Sequence, residues 1–294
     1  MSLLLIYMPS WSTILFVLTI AALIMTLFRK KIEEGFTQSE RFLLKMDGDS
    51  YDDFYAKIYD QLHLPEERAK PELAQILKMT GADDNSVFLD VGSGTGETLR
   101  QLTESGAKCV GIDKSPAMVA QSQLKTDAPT KVADVLEPMA FERAAFTHIL
   151  CLYHTIYEIE NKAAFFTNCR YWLRGGGYLV LHLVNKDRFN TVVPVGTPML
   201  IDNPQKYATQ RIVRTDVDFG NFNYNAKYNI CDKCEASFVE TFTDAATQNV
   251  RQNERRLYMD SETDILAMAA KCGFSLIGKA VDEHDEHQGY YILS

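Results

Sequence analysis

The sequence predicts an α/β fold: a parallel sheet with helices on both faces, an antiparallel insertion, and one membrane-spanning helix ahead of them. Three observations carry this. Short apolar runs alternate with helical patterns from residue 86 to 184, a strand runs straight into a loop with glycines at 92, 94 and 96, and residues 1–28 hold no charged side chain. Alternation across short joints implies parallel strands, because a crossover helix returns the chain to the start of a neighbouring strand. With 294 residues there is room for one such core and its appendages.

Residues 3–28 are almost continuously apolar, longer than the ~20 residues that cross a hydrocarbon core. Arg29, Lys30 and Lys31 follow at once. A cleaved signal peptide carries its positive charge before the apolar run, so the order here predicts an uncleaved, single-pass anchor. The basic triplet stays cytoplasmic by the positive-inside rule, which places the domain that follows in the cytoplasm. A buried core helix is the alternative, but Pro9, Ser10 and Ser12 disturb its first turns and no polar stripe runs along it.

Residues 29–47 are mixed and charged and read as a linker or short helix, with the domain proper at 48–294. Tyr51, Phe54, Tyr55, Ile58, Tyr59 and Leu62 recur at spacings of three and four, one face of an amphipathic helix. Strands follow at 87–91, 109–112 and 132–135. Helices open at Gly96 and at Ser115-Pro116, where a serine cap and a proline in the first turn favour initiation. A strand at 146–153, a helix at 161–173 stopped by Gly175, Gly176 and Gly177, and a strand at 178–184 complete the alternation. Beyond residue 185 the period changes. Val213, Thr215, Val217 and Phe219 alternate with charged residues and a second alternation spans 238–242, so antiparallel strands are expected as an insertion at about 200–258. A helix from Ser261 to Cys272 and apolar runs at 275–281 and 290–293 finish the sheet.

Composition excludes some partners. Lys and Arg number 30 against 39 Asp and Glu, a formal net charge of −9. Affinity for a nucleic-acid backbone rests on clustered Lys and Arg, so no nucleic-acid partner is expected. The six cysteines sit mostly in apolar runs without the density of a disulfide scaffold, which fits a reducing compartment. Cys231 and Cys234 form a C-x-x-C that His284 and His287 would complete as a zinc set. A lone C-x-x-C is weak, however, so the pair reads as two reduced cysteines on a turn and no metal is expected.

The sharpest chemical signal is Phe88-Leu-Asp-Val-Gly-Ser-Gly-Thr-Gly96. Glycines at alternate positions let the backbone turn tightly and let a ligand lie against bare main chain. A dinucleotide loop has the spacing G-x-G-x-x-G; this one is G-x-G-x-G with an acid, Asp90, ahead of it, which suits a ligand carrying an ammonium group. Asp113 ends the second strand 21 positions after Gly92, near the ~20 of a carboxylate that binds ribose hydroxyls. Asp134, at the third strand's end, is placed to accept from an adenine amino group.

Asp90 to Gly96, Asp113, Asp134 and the run Thr147-His-Ile-Leu-Cys-Leu-Tyr-His154 together resemble the class I S-adenosylmethionine-dependent methyltransferases over about residues 50–294. The resemblance implies a Rossmann-like sheet of seven strands whose last, at 288–294, is antiparallel. It implies S-adenosylmethionine as cofactor, with Gly92, Ser93, Gly94 and Gly96 along its methionine and ribose, Asp90 near the amino group and Asp113 with Lys114 at the ribose. Asp134 and Val135 frame the adenine, Met118 packs on it, and Cys151 and Tyr55 complete the set. The nearest subgroup is similar to small-molecule methyltransferases.

The function so implied is methyl transfer to oxygen, nitrogen or carbon of a small or lipophilic acceptor. Displacement at an activated sulfonium asks mainly for alignment and exclusion of water. His154 is the candidate general base: it follows the fourth strand, at the end where ligands of open α/β sheets gather, and imidazole titrates near neutrality. Tyr51 and Tyr55 are expected as a lid. Two alternatives stand beside this. One is an NAD(P)-dependent oxidoreductase, which Asp90 and the glycine spacing disfavour; the other is a membrane-tethered S-adenosylmethionine-binding module without turnover.

Overall fold

A computed structural model describes residues 11, 15–16, 19–20, 38–197, 203–230 and 235–294. The expected anchor at 1–28, with its basic triplet, lies almost wholly outside the described residues, as does the Cys231 and Cys234 pair. Among the described residues no helix is long and apolar enough to cross a membrane.

The first strand, β1 (Phe42–Met46), corrects the sequence reading, which made this stretch a linker or short helix. Its five residues pair in parallel with a strand some 200 positions away, starting with Phe42 against Val250, a partner that no local pattern reveals. Helix α1 (Asp53–His63) then starts as the tyrosine face predicts, with the Asp52 carboxylate accepting from Tyr55 N at 3.3 Å. Leu64, in the left-handed region, turns the chain into α2 (Pro65–Thr80).

The central sheet is built in the expected order. β2 (Val87–Val91), α3 (Glu97–Glu104), β3 (Lys108–Asp113), α4 (Pro116–Lys125), β4 (Thr130–Val132), β5 (Phe146–Cys151), α5 (Thr155–Glu158), α6 (Lys162–Trp172) and β6 (Leu173–Val184) follow one another. β2 lies between β3 and β5, with β4 beyond β3 and β6 beyond β5, all parallel. Both faces are apolar, as a doubly covered sheet requires. Leu89, Val91 and Ile149 meet Met118, Phe165 and Trp172 on one side, while Phe88 and Leu150 meet Leu73, Ile76 and Leu99 on the other. After β4 the chain crosses to the opposite side of β2 to make β5. The strand order therefore reverses between β2 and β5, and a crevice opens at their carboxyl ends, where α/β sheets bind ligands.

Two boundaries differ from expectation. β4 ends at Val132, so Asp134 stands just past the strand rather than in it. β6 begins at Leu173 and runs through the three glycines, because Phe146 of β5 pairs with Leu173. Gly177 is needed there for closeness: a Cβ would come within 2.8 Å of the Thr147 carbonyl oxygen.

The insertion is antiparallel, as the alternation predicts. β7 (Arg214–Asp218), β8 (Phe222–Ile230), β9 (Glu235–Asp244) and β10 (Val250–Tyr258) form a second sheet that β1 completes at its edge. Its inner face seats on α1, where the Phe54 and Phe242 rings meet edge to face at 5.3 Å. An ion pair is sealed in the same interface: Glu240 accepts from Arg255 at 2.7 Å and from the Tyr55 and Tyr224 hydroxyls at 3.0 and 2.6 Å. Helix α7 (Glu262–Lys271), capped by Ser261, leads to β11 (Leu276–Val281) and β12 (Gln288–Leu293). β12 enters antiparallel between β6 and β11 and completes seven strands.

Candidate active site

At the crevice the backbone after β2 is pinned to β3. Gly92 N and Ser93 N both donate to the Ile112 carbonyl, at 2.8 and 3.2 Å. Asp113 does more than end its strand. Its Oδ2 accepts from Gly94 N and its Oδ1 from Ser115 N, each at 2.8 Å, so one carboxylate joins the glycine loop to the start of α4.

The glycines serve different ends. Gly94 has φ +54°, and a Cβ there would meet nothing nearer than Gly92 O at 4.0 Å, so its bare face opens on a cavity. A Cβ on Gly96 would instead strike the Ser122 side chain, and Gly96 is absent from the cavity wall. Its place in the motif is explained by the packing of the loop on α4 rather than by ligand contact.

The cavity beside Gly94 measures about 1010 Å³, at the upper end of the usual range for ligand sites. Asp90, Gly92, Ser93, Gly94, Asp113, Lys114, Met118, Asp134 and Val135, all foreseen from sequence, line it together. Asp90 is 3% exposed, and burial first, then the neighbouring Asp113 charge, push its carboxyl up to about 8. A cationic group placed there would reverse that penalty. Asp134 accepts from Leu136 N at 2.9 Å and pairs with Lys114 at 3.0 Å, which holds the loop after β4 at the cavity rim.

Two further expected residues stand elsewhere. Cys151 is fully buried in the apolar interior of the sheet, where burial raises its thiol far above the ordinary value. Tyr55 is also fully buried, its hydroxyl taken up by Glu240, Arg255 and His63, so it holds α1 to the insertion instead of forming a lid. Tyr51 does reach the cavity.

His154 lines a second, smaller cavity of about 210 Å³. Its imidazole is pushed down to about 3 by burial, then by His182 and Arg68. Such a ring is neutral near pH 7 and a poor proton acceptor, which weighs against the expected general base. His63, Arg68, Glu72, His182, Tyr228 and Phe238 share this second wall. Tyr51, Tyr59, Tyr153, Glu158 and Arg255 line both cavities, which therefore adjoin. Glu158 and Arg255 were not anticipated. One sits on a four-residue helix too short to show a period, and the other arrives from the insertion by strand pairing. No local signal marks either.

Comparison with known proteins agrees with this geometry. Residues 89–181 match the family described as "Methyltransferase domain". No curated protein sequence matches the chain. Among solved structures, an S-adenosylmethionine-dependent methyltransferase from Clostridium acetobutylicum ATCC 824 superposes with a TM-score of 0.61 at 16% identity, covering 82% of this chain and 97% of that one. The CcbJ methyltransferase of Streptomyces caelestis gives 0.61 at 16%, covering 83% and 97%. The sugar N-methyltransferase KedS8 of Streptoalloteichus sp ATCC 53650 gives 0.55 at 20%, covering 76% and 85%. At such identities the likeness establishes the fold, and the matched domain contains the loop and the acids that line the cavity. Residues 89–181 are thus similar to a methyltransferase domain, and the fold is the one that these S-adenosylmethionine-dependent methyltransferases of known structure have.

Proposed function

We propose that the protein transfers a methyl group to oxygen, nitrogen or carbon of a small or lipophilic acceptor seated in the smaller cavity. The observation that carries this is the adjacency of the two cavities through five common residues, which lets a nucleophile approach the larger site in line while protein excludes water. S-adenosylmethionine supplies the activated methyl group. Gly94 gives it bare backbone to lie on with Gly92 and Ser93 beside it, Asp90 meets its amino group, Asp113 and Lys114 serve the ribose, and Met118, Asp134 and Val135 surround the adenine. Asp113 therefore has two tasks, since it also fixes the loop.

His154 serves this reaction as a neutral hydrogen-bonding wall. An anchor at residues 1–28 would hold the acceptor cavity beside a membrane on its cytoplasmic side, so lipid acceptors belong in any search. The test is incubation of the protein with methyl-labelled S-adenosylmethionine and separated metabolite, lipid and protein fractions. Label is expected in the metabolite or lipid fraction. Label in protein alone, or in none while cofactor still binds, would contradict the proposal and favour a binding module. In the same assay His154→Gln should retain most turnover between pH 6 and 9; a loss of ~10²-fold or more would return His154 to the role of base.

A further inference from the structure

Of the five residues common to both cavities, only Glu158 carries a carboxylate. It ends α5, is exposed within that space, and accepts a 2.5 Å hydrogen bond on Oε1 from Tyr51 Oη. Burial pushes the Tyr51 phenol well above its ordinary value, against the pull of Arg255, so Tyr51 stays a donor and orients the carboxylate. Glu158 is hydrogen-bonded to Tyr51, and its charge is felt by Tyr59, Asp113, Tyr228 and Arg255 among the described residues.

The acceptor cavity around it is acidic and aromatic. Asp282, Glu283 and Asp285 join Glu158 there, against Arg68, while Arg255 is committed to Glu240 at 2.7 Å. Tyr59 and Tyr228 line it with rings of the kind that attract a cation, while Phe238 already carries the Arg255 guanidinium over its ring at 4.9 Å. His63, His154 and His182 remain neutral near pH 7, since burial lowers each imidazole, so none of these three rings of the described wall is a strong base for a hydroxyl acceptor. A carboxylate acceptor would be repelled.

We infer that the acceptor is an amine, held as its ammonium by this wall, and that Glu158 takes the proton that frees the nitrogen lone pair. This rests on the methyl-transfer reading above. The ammonium N–H bond breaks to Glu158 Oε2; the nitrogen then forms the new N–C bond as the methyl–sulfur electron pair returns to sulfur. The product leaves as an N-methylammonium, and Glu158 passes its proton to water.

The test uses the whole chain saturated with S-adenosylhomocysteine, titrated calorimetrically with primary amines, from cyclohexylamine to amino sugars. Each is matched by the alcohol and the carboxylate on the same frame, and turnover follows with S-adenosylmethionine. Amines should bind and be methylated in preference to their partners. Glu158→Gln should weaken amine binding and lower kcat ~10²-fold at pH 7, the lower end of general-base effects. The deficit should shrink as pH rises toward the ~10 typical of an alkylammonium, where the amine is already free. Preference for alcohols or carboxylates, no binding of any amine, or a Glu158→Gln deficit that stays constant with pH would overturn the inference. Failure of the native chain to bind S-adenosylhomocysteine would instead strike the methyl-transfer reading itself.

Discussion

Gly94→Val is expected to abolish cofactor binding while the protein stays folded. The new side chain would project into the cavity, where a Cβ finds no protein atom closer than 4.0 Å, and so would occupy ligand space. A β-branched residue at φ +54° adds strain of about 1–3 kcal/mol. Affinity for S-adenosylhomocysteine should fall at least ~100-fold, about 2.7 kcal/mol at the usual conversion. Gly106→Val separates the two effects: Gly106 has φ +82° with open space around it, in the turn after α3 and away from the cavity wall. It should cost similar stability yet leave affinity unchanged. Calorimetry showing equal affinity in the Gly94 and Gly106 variants would remove the cradle from the account.

The second large effect concerns stability. Glu240 is fully buried, and its two oxygens serve Arg255, Tyr55 and Tyr224. Glu240→Ala takes from the buried guanidinium its direct ion-pair partner and from the Tyr55 and Tyr224 hydroxyls their shared carboxylate acceptor. Removing one partner of a buried ion pair costs about 3–5 kcal/mol, and at this domain size that lowers Tm by roughly 6–20 °C. The double variant Glu240→Leu with Arg255→Met should recover much of the loss, because an apolar pair carries no charge to strand. A fall below about 3 °C for Glu240→Ala, read by calorimetric melting, would mean that Arg255 finds water or another partner.

The sequence made the parallel core legible because each strand there is followed by its own crossover helix, and the apolar period of each is local. Asp90, Gly94 and Asp113 were legible for the same reason: the motif is one strand end and one turn. What escaped depends on distant pairing. β1 is five residues long and gains its place only from β10. Tyr55 stood on the predicted helix face, but the face alone could not say that Glu240 and Arg255 would cover it. Gly96 and Cys151 were assigned to the ligand by position in a motif, whereas Ser122 and the sheet interior decide their roles. His154 was read by its ordinary titration, and burial beside His182 removes that premise.

The cavity along Gly94 is proposed to be built for S-adenosylmethionine. Titration of the whole chain with S-adenosylhomocysteine and, separately, with reduced nicotinamide dinucleotide tests it most directly. Binding of one S-adenosylhomocysteine per chain, with no binding of the dinucleotide, is the predicted result. Binding of the dinucleotide without S-adenosylhomocysteine would contradict it.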